Sequence, residues 1–148
     1  MDQNPEIPTS NTIMPRHLAA IFDNMIAAIL GLAVVKFLEA SDTLIDEKSY
    51  KLQLLVFVTV YLGYFFVFEK LISRTPGKLL TGLVVVRKDG SKISTLDVVV
   101  RTILRPLEVN PALFGYAPAA LSIIFSKNHQ RIADRIVGTI VVPPDRLP

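Results

Sequence analysis

The chain has 148 residues, enough for one compact domain, and 51% of them are hydrophobic against 20% charged, with a net charge of +3. It contains no cysteine, which excludes disulfides, zinc thiolate sites and thiol nucleophiles, and its two histidines, His17 and His129, leave no histidine-rich metal cluster. The apolar residues fall in long blocks flanked by short basic segments, as in membrane proteins and not in nucleic-acid binders. Neither nucleic acid nor a cofactor is expected.

Residues 1–15 form a proline-bearing leader, expected to be loosely ordered. The first apolar block, residues 18–38, covers roughly 31 Å as a helix, close to the thickness of a hydrocarbon core. Its acid and the lack of a small-x-small cleavage site after it separate it from a signal peptide. A second span follows at residues 52–68, closed by Glu69 and Lys70. The loop between them carries Glu39, Asp42, Asp46 and Glu47 against Lys48 and Lys51, while 13 of the 16 basic residues lie on other segments or before the first span. Positive charge favours the cytoplasm, so both termini are predicted inside and the acidic loop outside.

Thr75-Pro76-Gly77-Lys78 superficially resembles a phosphate loop, but Ile72 stands where its first glycine belongs and Leu79 where Ser or Thr is required. It is expected to be a sharp structural turn. The β-branched, glycine-marked segments 80–87 and 136–142 read as strands, with a hairpin turn at Asp89-Gly90. A small cytoplasmic sheet of this hairpin plus the C-terminal strand is predicted, because an isolated hairpin is marginal. Residues 95–126 read as two short helices broken near Glu108-Val109-Asn110-Pro111, a hairpin that re-enters the membrane or lies in its interface. The membrane domain then covers residues 16–142, and residues 143–148 form a loose tail. The fold class is a mainly α membrane protein with two transmembrane helices, this short helical hairpin and the small sheet.

Asp23 stands well inside the first span, where an ionised carboxylate is costly. Ala20, Asp23, Ala27 and Gly31 share one face, and Ala27 with Gly31 makes a small-xxx-small pair, so Asp23 is predicted to face packed protein. Its expected partner is basic: Arg16, or the pair Arg101 and Arg105 on the first short helix. Two roles stay open, an ion pair that pins helices together and a protonatable site in an ion pathway. Burial and a nearby arginine push its pKa in opposite directions. Asp134 with Arg131 reads as a local surface pair, and His129 as ordinary surface.

Arg16-His17-Leu18-Ala19-Ala20-Ile21-Phe22-Asp23 is similar to the opening motif of the RDD family, named for an arginine and two aspartates. Thr75-Pro76-Gly77-Lys78 with Gly82-Leu83-Val84-Val85 and Asp89-Gly90 looks like its middle segment. Arg101 and Arg105 fit its later arginine helix, and Asp134 with Gly138-Thr139-Ile140-Val141 resembles its closing motif. The chain departs from the pattern where His17 replaces a second arginine and Ala133 replaces a histidine before the last aspartate. The resemblance implies a bacterial or archaeal inner-membrane protein. It also implies one of two roles: cation/proton antiport with Asp23 switching, in a homo-oligomer, or an accessory or scaffold subunit in a larger assembly. Nothing in the residues suggests an enzyme. The partners expected are the bilayer, other membrane subunits or further copies of the chain, and anionic lipid at the basic face.

Overall fold

The computed structural model describes residues 12–41, 49–108, 117–126 and 130–147. Two long helices, α1 (Ile13–Ala40) and α2 (Tyr50–Ile72), are both long and apolar enough to cross a membrane. At about 1.5 Å per residue they reach roughly 42 and 34 Å. Each extends beyond its predicted span, and α1 takes in Ile13, Met14 and Pro15 from the expected leader. Pro15 is tolerated there because first-turn N–H groups have no helical acceptor.

The helices pack antiparallel through the predicted stripe. Ala19, Ala20, Asp23, Ala27, Gly31 and Val35 are buried on α1. Opposite them on α2 runs an aromatic row at four-residue spacing, Phe57, Tyr61 and Phe65, with ring centroids 6.0 and 5.3 Å apart. The fit needs small residues: a Cβ on Gly31 would come within 2.7 Å of the Phe57 ring. The outer faces leave Ile21, Met25, Ile29, Leu54 and Leu55 exposed.

Helix α2 ends at Ser73 in the left-handed conformation (φ 55°), its N–H donating to the Glu69 carbonyl. The chain restarts as a short helix, α3 (Pro76–Leu80), with Pro76 in its first turn. The expected turn at Thr75-Pro76-Gly77-Lys78 is therefore a helix start. Strand β1 (Val84–Arg87) follows. The return arm of the predicted hairpin shrinks to a single bridge, Val86 to Lys92. The reason is local: Ser94 and Asp97 exchange backbone-to-side-chain hydrogen bonds of 2.8 and 3.2 Å, opening helix α4 (Thr95–Glu108) too soon for a strand.

Helix α5 (Ala117–Phe125) completes the second half of the predicted helical pair, whose break falls outside the described residues, as do the loop at 42–48 and His129. The expected strand at 136–142 is divided. Its start belongs to helix α6 (Ile132–Val137), which Gly138 ends at φ 70°, and only β2 (Thr139–Val142) is extended. Strand β2 pairs antiparallel with β1, Val84 facing Val142 and Arg87 facing Thr139. Val84, Val86, Ile140 and Val142 cluster on one face and Leu83, Val85 and Val141 on the other. Burial on both faces explains the unbroken valine runs. After β2 the chain makes a 3-10 turn at Pro144–Arg146, and Leu147 packs on the first cluster.

Replacing Val141 with Ala removes about two methylene equivalents from this sheet and should cost about 2 kcal/mol. Thermal unfolding of the purified protein in detergent should register this as a lowered midpoint.

Candidate functional site

Helix α4 is built inside out. Asp97, Val98, Arg101 and Arg105 are buried along its inner face, whereas Leu96, Ile103 and Leu107 are exposed. This turns two arginines toward the end of the helix pair where α1 begins and α2 finishes, and where α3, α6 and β2 also converge. Eight ionisable side chains meet there, each 7% exposed or less: Arg16, Asp23, Glu69, Lys78, Arg101, Arg105, Arg131 and Asp134.

Arg101 is the hub. Its Nε donates to Glu69 Oε2 at 2.9 Å and its Nη2 to Oε1 at 3.4 Å, a fork on one carboxylate. Its Nη1 donates to Asp134 Oδ1 and, at 2.7 Å, to Thr139 Oγ1. Lys78 Nζ completes Glu69 through Oε1. Arg16 Nη2 and the Arg131 backbone N–H donate to Asp134 Oδ2 at 2.6 and 3.1 Å. Burial alone would raise the Asp134 pKa, but Arg101 and Arg16 outweigh it and hold this carboxyl well below the usual range. Asp134 is thus no surface group, and its bond to Arg131 runs through the backbone inside the cluster.

Asp23 lies at the predicted depth on the packed face but takes different partners. Its carboxylate accepts from Tyr64 OH at 2.9 Å, from the Gly77 backbone N–H at 2.7 Å and from Thr75 Oγ1. These donors are neutral, whereas Arg16 reaches Asp134 and Arg101 reaches Glu69 and Asp134. The expected ion pair at Asp23 is replaced by a hydrogen-bonded clasp of α1 to α2 and α3. Gly77 makes that clasp possible: a Cβ there would collide with the Ala19 carbonyl and lie 2.8 Å from Asp23 Cγ.

Burial pushes the Lys78 ammonium down to about 8, against the pull of Glu69. The Arg105 guanidinium lies 3.3 Å above the Phe65 ring centroid. Two cavities of about 10 Å³ open among these groups, the first lined by Glu69, Arg101, Arg105, Arg131 and Asp134, the second by Arg16, Asp23, Lys78 and the same three arginines. Each is at the lower limit for a single water.

The structure therefore gathers Arg16, Asp23, Thr75, Gly77, Lys78, Arg101, Arg105, Arg131 and Asp134 into one place, with Pro76 setting the start of α3. The residue sequence reasoning missed is Glu69, read only as the close of the second span. A signal existed: Tyr61, Phe65 and Glu69 continue one face at four-residue spacing, so the acid ends the stripe that packs on α1.

A lattice of buried arginines and acids beneath a pair of apolar helices defines a small membrane-type protein. The chain belongs to the RDD family, whose model matches residues 11–138. No curated protein and no solved structure matches it.

Asp134→Asn should cost about 3–5 kcal/mol at neutral pH by leaving Arg16 and Arg101 short of a counter-charge. Because the folded pKa of Asp134 is depressed, its stabilisation is complete above the unfolded value near 4 and is lost as pH falls through the folded value. Melting curves of both proteins across pH should show the gap narrowing below about pH 4. Gly77→Ala should lower the midpoint at every pH, since its clash is steric.

Proposed function

We propose that this chain is a non-catalytic accessory or scaffold subunit of a larger membrane assembly. The carrying observation is the inversion of the layer around the charge cluster. Polar groups there bond to one another, while Leu71, Leu80, Leu96, Ile103 and Leu107 each expose more than 60% of their surface. Exposed apolar faces of this extent mark lipid or protein contact. They continue the apolar sides of α1 and α2, so the reading sets the cluster at the membrane interface, collared by acyl chains or partner helices.

The pairing of Arg16 with Asp134, and of β1 with β2, supports a topology with both chain ends on one side. The basic bias of those segments argues for the cytoplasm of a bacterial or archaeal cell, across its inner membrane. Exposed Arg87, Lys88 and Lys92 beside the turn suit an anionic lipid surface or an acidic partner.

Cation/proton antiport in a homo-oligomer is the competing reading. It needs Asp23 to exchange protons with a path, and three donors from α2 and α3 already occupy that carboxylate. Among the described residues, no group of three acids or histidines converges as a cation site. The interactions favour a structural Asp23.

Purification from native membranes in mild detergent, followed by intact-complex mass determination, should yield a stable foreign partner; a homo-oligomer alone would return the transport reading. Asp23→Asn should leave cation-driven proton exchange in everted vesicles unchanged, and lost exchange at equal protein level would sink the scaffold proposal. The absence of cysteine makes single-cysteine labelling clean. A membrane-impermeant maleimide applied to everted vesicles should modify Lys88→Cys rapidly and Ile103→Cys or Leu107→Cys slowly.

A further inference from the structure

Halfway along the two long helices lies a polar contact outside the charge cluster. Tyr61 OH donates to Asn24 Oδ1 at 2.6 Å. Asn24 stands roughly 17 Å along α1 from Ile13 and roughly 24 Å from Ala40, and Tyr61 is the central residue of α2. With both helices across a bilayer, a setting this inference takes from the proposed function, the pair sits near the middle of the hydrocarbon core.

One hydroxyl cannot satisfy a carboxamide. The Asn24 side chain offers two N–H donors and an oxygen with two lone pairs, and turned either way it meets Tyr61 with one end alone. Its amide nitrogen makes no hydrogen bond among the described residues, and the side chain is partly exposed at the lateral surface. Acyl chains supply no partner, and an amide left unpaired among them is costly.

Ile21, Asn24, Ala28 and Leu32 follow one another at spacings of three, four and four, on one flank of the seam with α2. Ile21 and Leu32 each expose more than half of their surface, and Ala28 is partly exposed. The small Ala28, one turn from Asn24, lets a second helix approach closely enough for an amide to reach.

We infer that this flank joins two copies of the chain as a symmetric pair, their Asn24 side chains bonded to each other across the twofold axis. Depth selects the occupant. Two copies inserted in the same direction, related by an axis along the membrane normal, bring their Asn24 residues to one level. A foreign helix does so only where its own sequence places a polar group at that depth. The chemistry agrees, because each amide keeps N–H donors and a lone pair on Oδ1 and is complementary to itself. The exposed leucines of α3 and α4 stay open to a foreign subunit, so the pairing is compatible with a scaffold role.

The test uses the full chain in the membranes of the expressing cells. Under mild oxidation Ala28→Cys should cross-link as a dimer, and Leu30→Cys, exposed on the opposite flank, should stay monomeric. Energy transfer between labelled copies in lipid bilayers, followed on dilution with lipid, should show Asn24→Leu weakening association roughly tenfold. Tyr61→Phe keeps the amide and should keep the dimer. Cross-linking at both positions alike, or of Ala28→Cys to a foreign protein only, would overturn the pairing. So would wild-type association of Asn24→Leu, or an equal loss in Tyr61→Phe, which would trace the effect to packing of α1 on α2. Should Asn24→Leu not fold, the contrast between positions 28 and 30 decides alone. Extraction with alkaline carbonate separates the two readings: a chain retained in the membrane yet monomeric overturns the pairing alone, and a chain released overturns the membrane setting with it.

Discussion

The structure hangs on Arg101, whose guanidinium binds Glu69 on one side and Asp134 with Thr139 on the other. One side chain of α4 thereby holds the end of α2, the start of α6 and the first residue of β2. Arginine suits this post because its planar fork presents several donors in fixed directions and stays charged when buried, which lysine does not guarantee. Buried ion pairs add little net stability, because desolvation offsets most of the attraction. Their force is negative: any arrangement that separates the partners strands a charge at low dielectric. The lattice therefore selects one packing of short elements that otherwise have little apolar core between them.

A second constraint locks the layer to the helix pair. Asp23 reaches α3 through the Gly77 N–H, an amide in the first turn that no intrahelical carbonyl can satisfy. Thr75 sends its hydroxyl to the same carboxylate instead of capping its own helix. The acid thus stands in for a helix cap, and α1 becomes part of the turn that follows α2. An aspartate inside an apolar helix reads as a site of ion chemistry when only its depth is known. Its donors show what it joins: Tyr64 of α2 and Thr75 and Gly77 at the start of α3.

How much of this was legible in the sequence follows from the kind of information each feature needed. Residues 18–38 and 52–68 stood out because a membrane-length apolar run is a local property, and the Ala20, Asp23, Ala27, Gly31 face because helical periodicity is local too. The arginines at 101 and 105 were visible as neighbours on one face for the same reason. Partners were not visible. Arg16 and Asp134 are separated by 118 positions, and nothing in either segment distinguishes that pairing from Arg16 with Asp23, seven residues away. Glu69 was overlooked because an acid at the edge of an apolar block ordinarily marks the water boundary. The strand boundaries slipped where side-chain caps intervened: Ser94 with Asp97 ended the hairpin early, and left-handed Gly138 divided what looked like one β-branched strand.

The inverted amphipathicity of α4 is the feature that joins fold to environment. In water, a helix with Arg101 and Arg105 inward and Leu96, Ile103 and Leu107 outward would lose on both faces, desolvating charge and exposing apolar surface. Beside acyl chains or apolar partner helices the exposed leucines cost nothing, and the ionic groups have no better place than one another. The same inversion recurs on α6, where Asp134 is buried while Ile132 and Ile136 are exposed, and on α3, where Lys78 is buried while Leu79 and Leu80 are exposed. Three short helices sharing this pattern, each too short to span a bilayer, make a polar interior that requires an apolar exterior around it. That requirement ties the charge lattice to the two long helices, and it explains why the acids and arginines of this chain lie next to its most apolar segments.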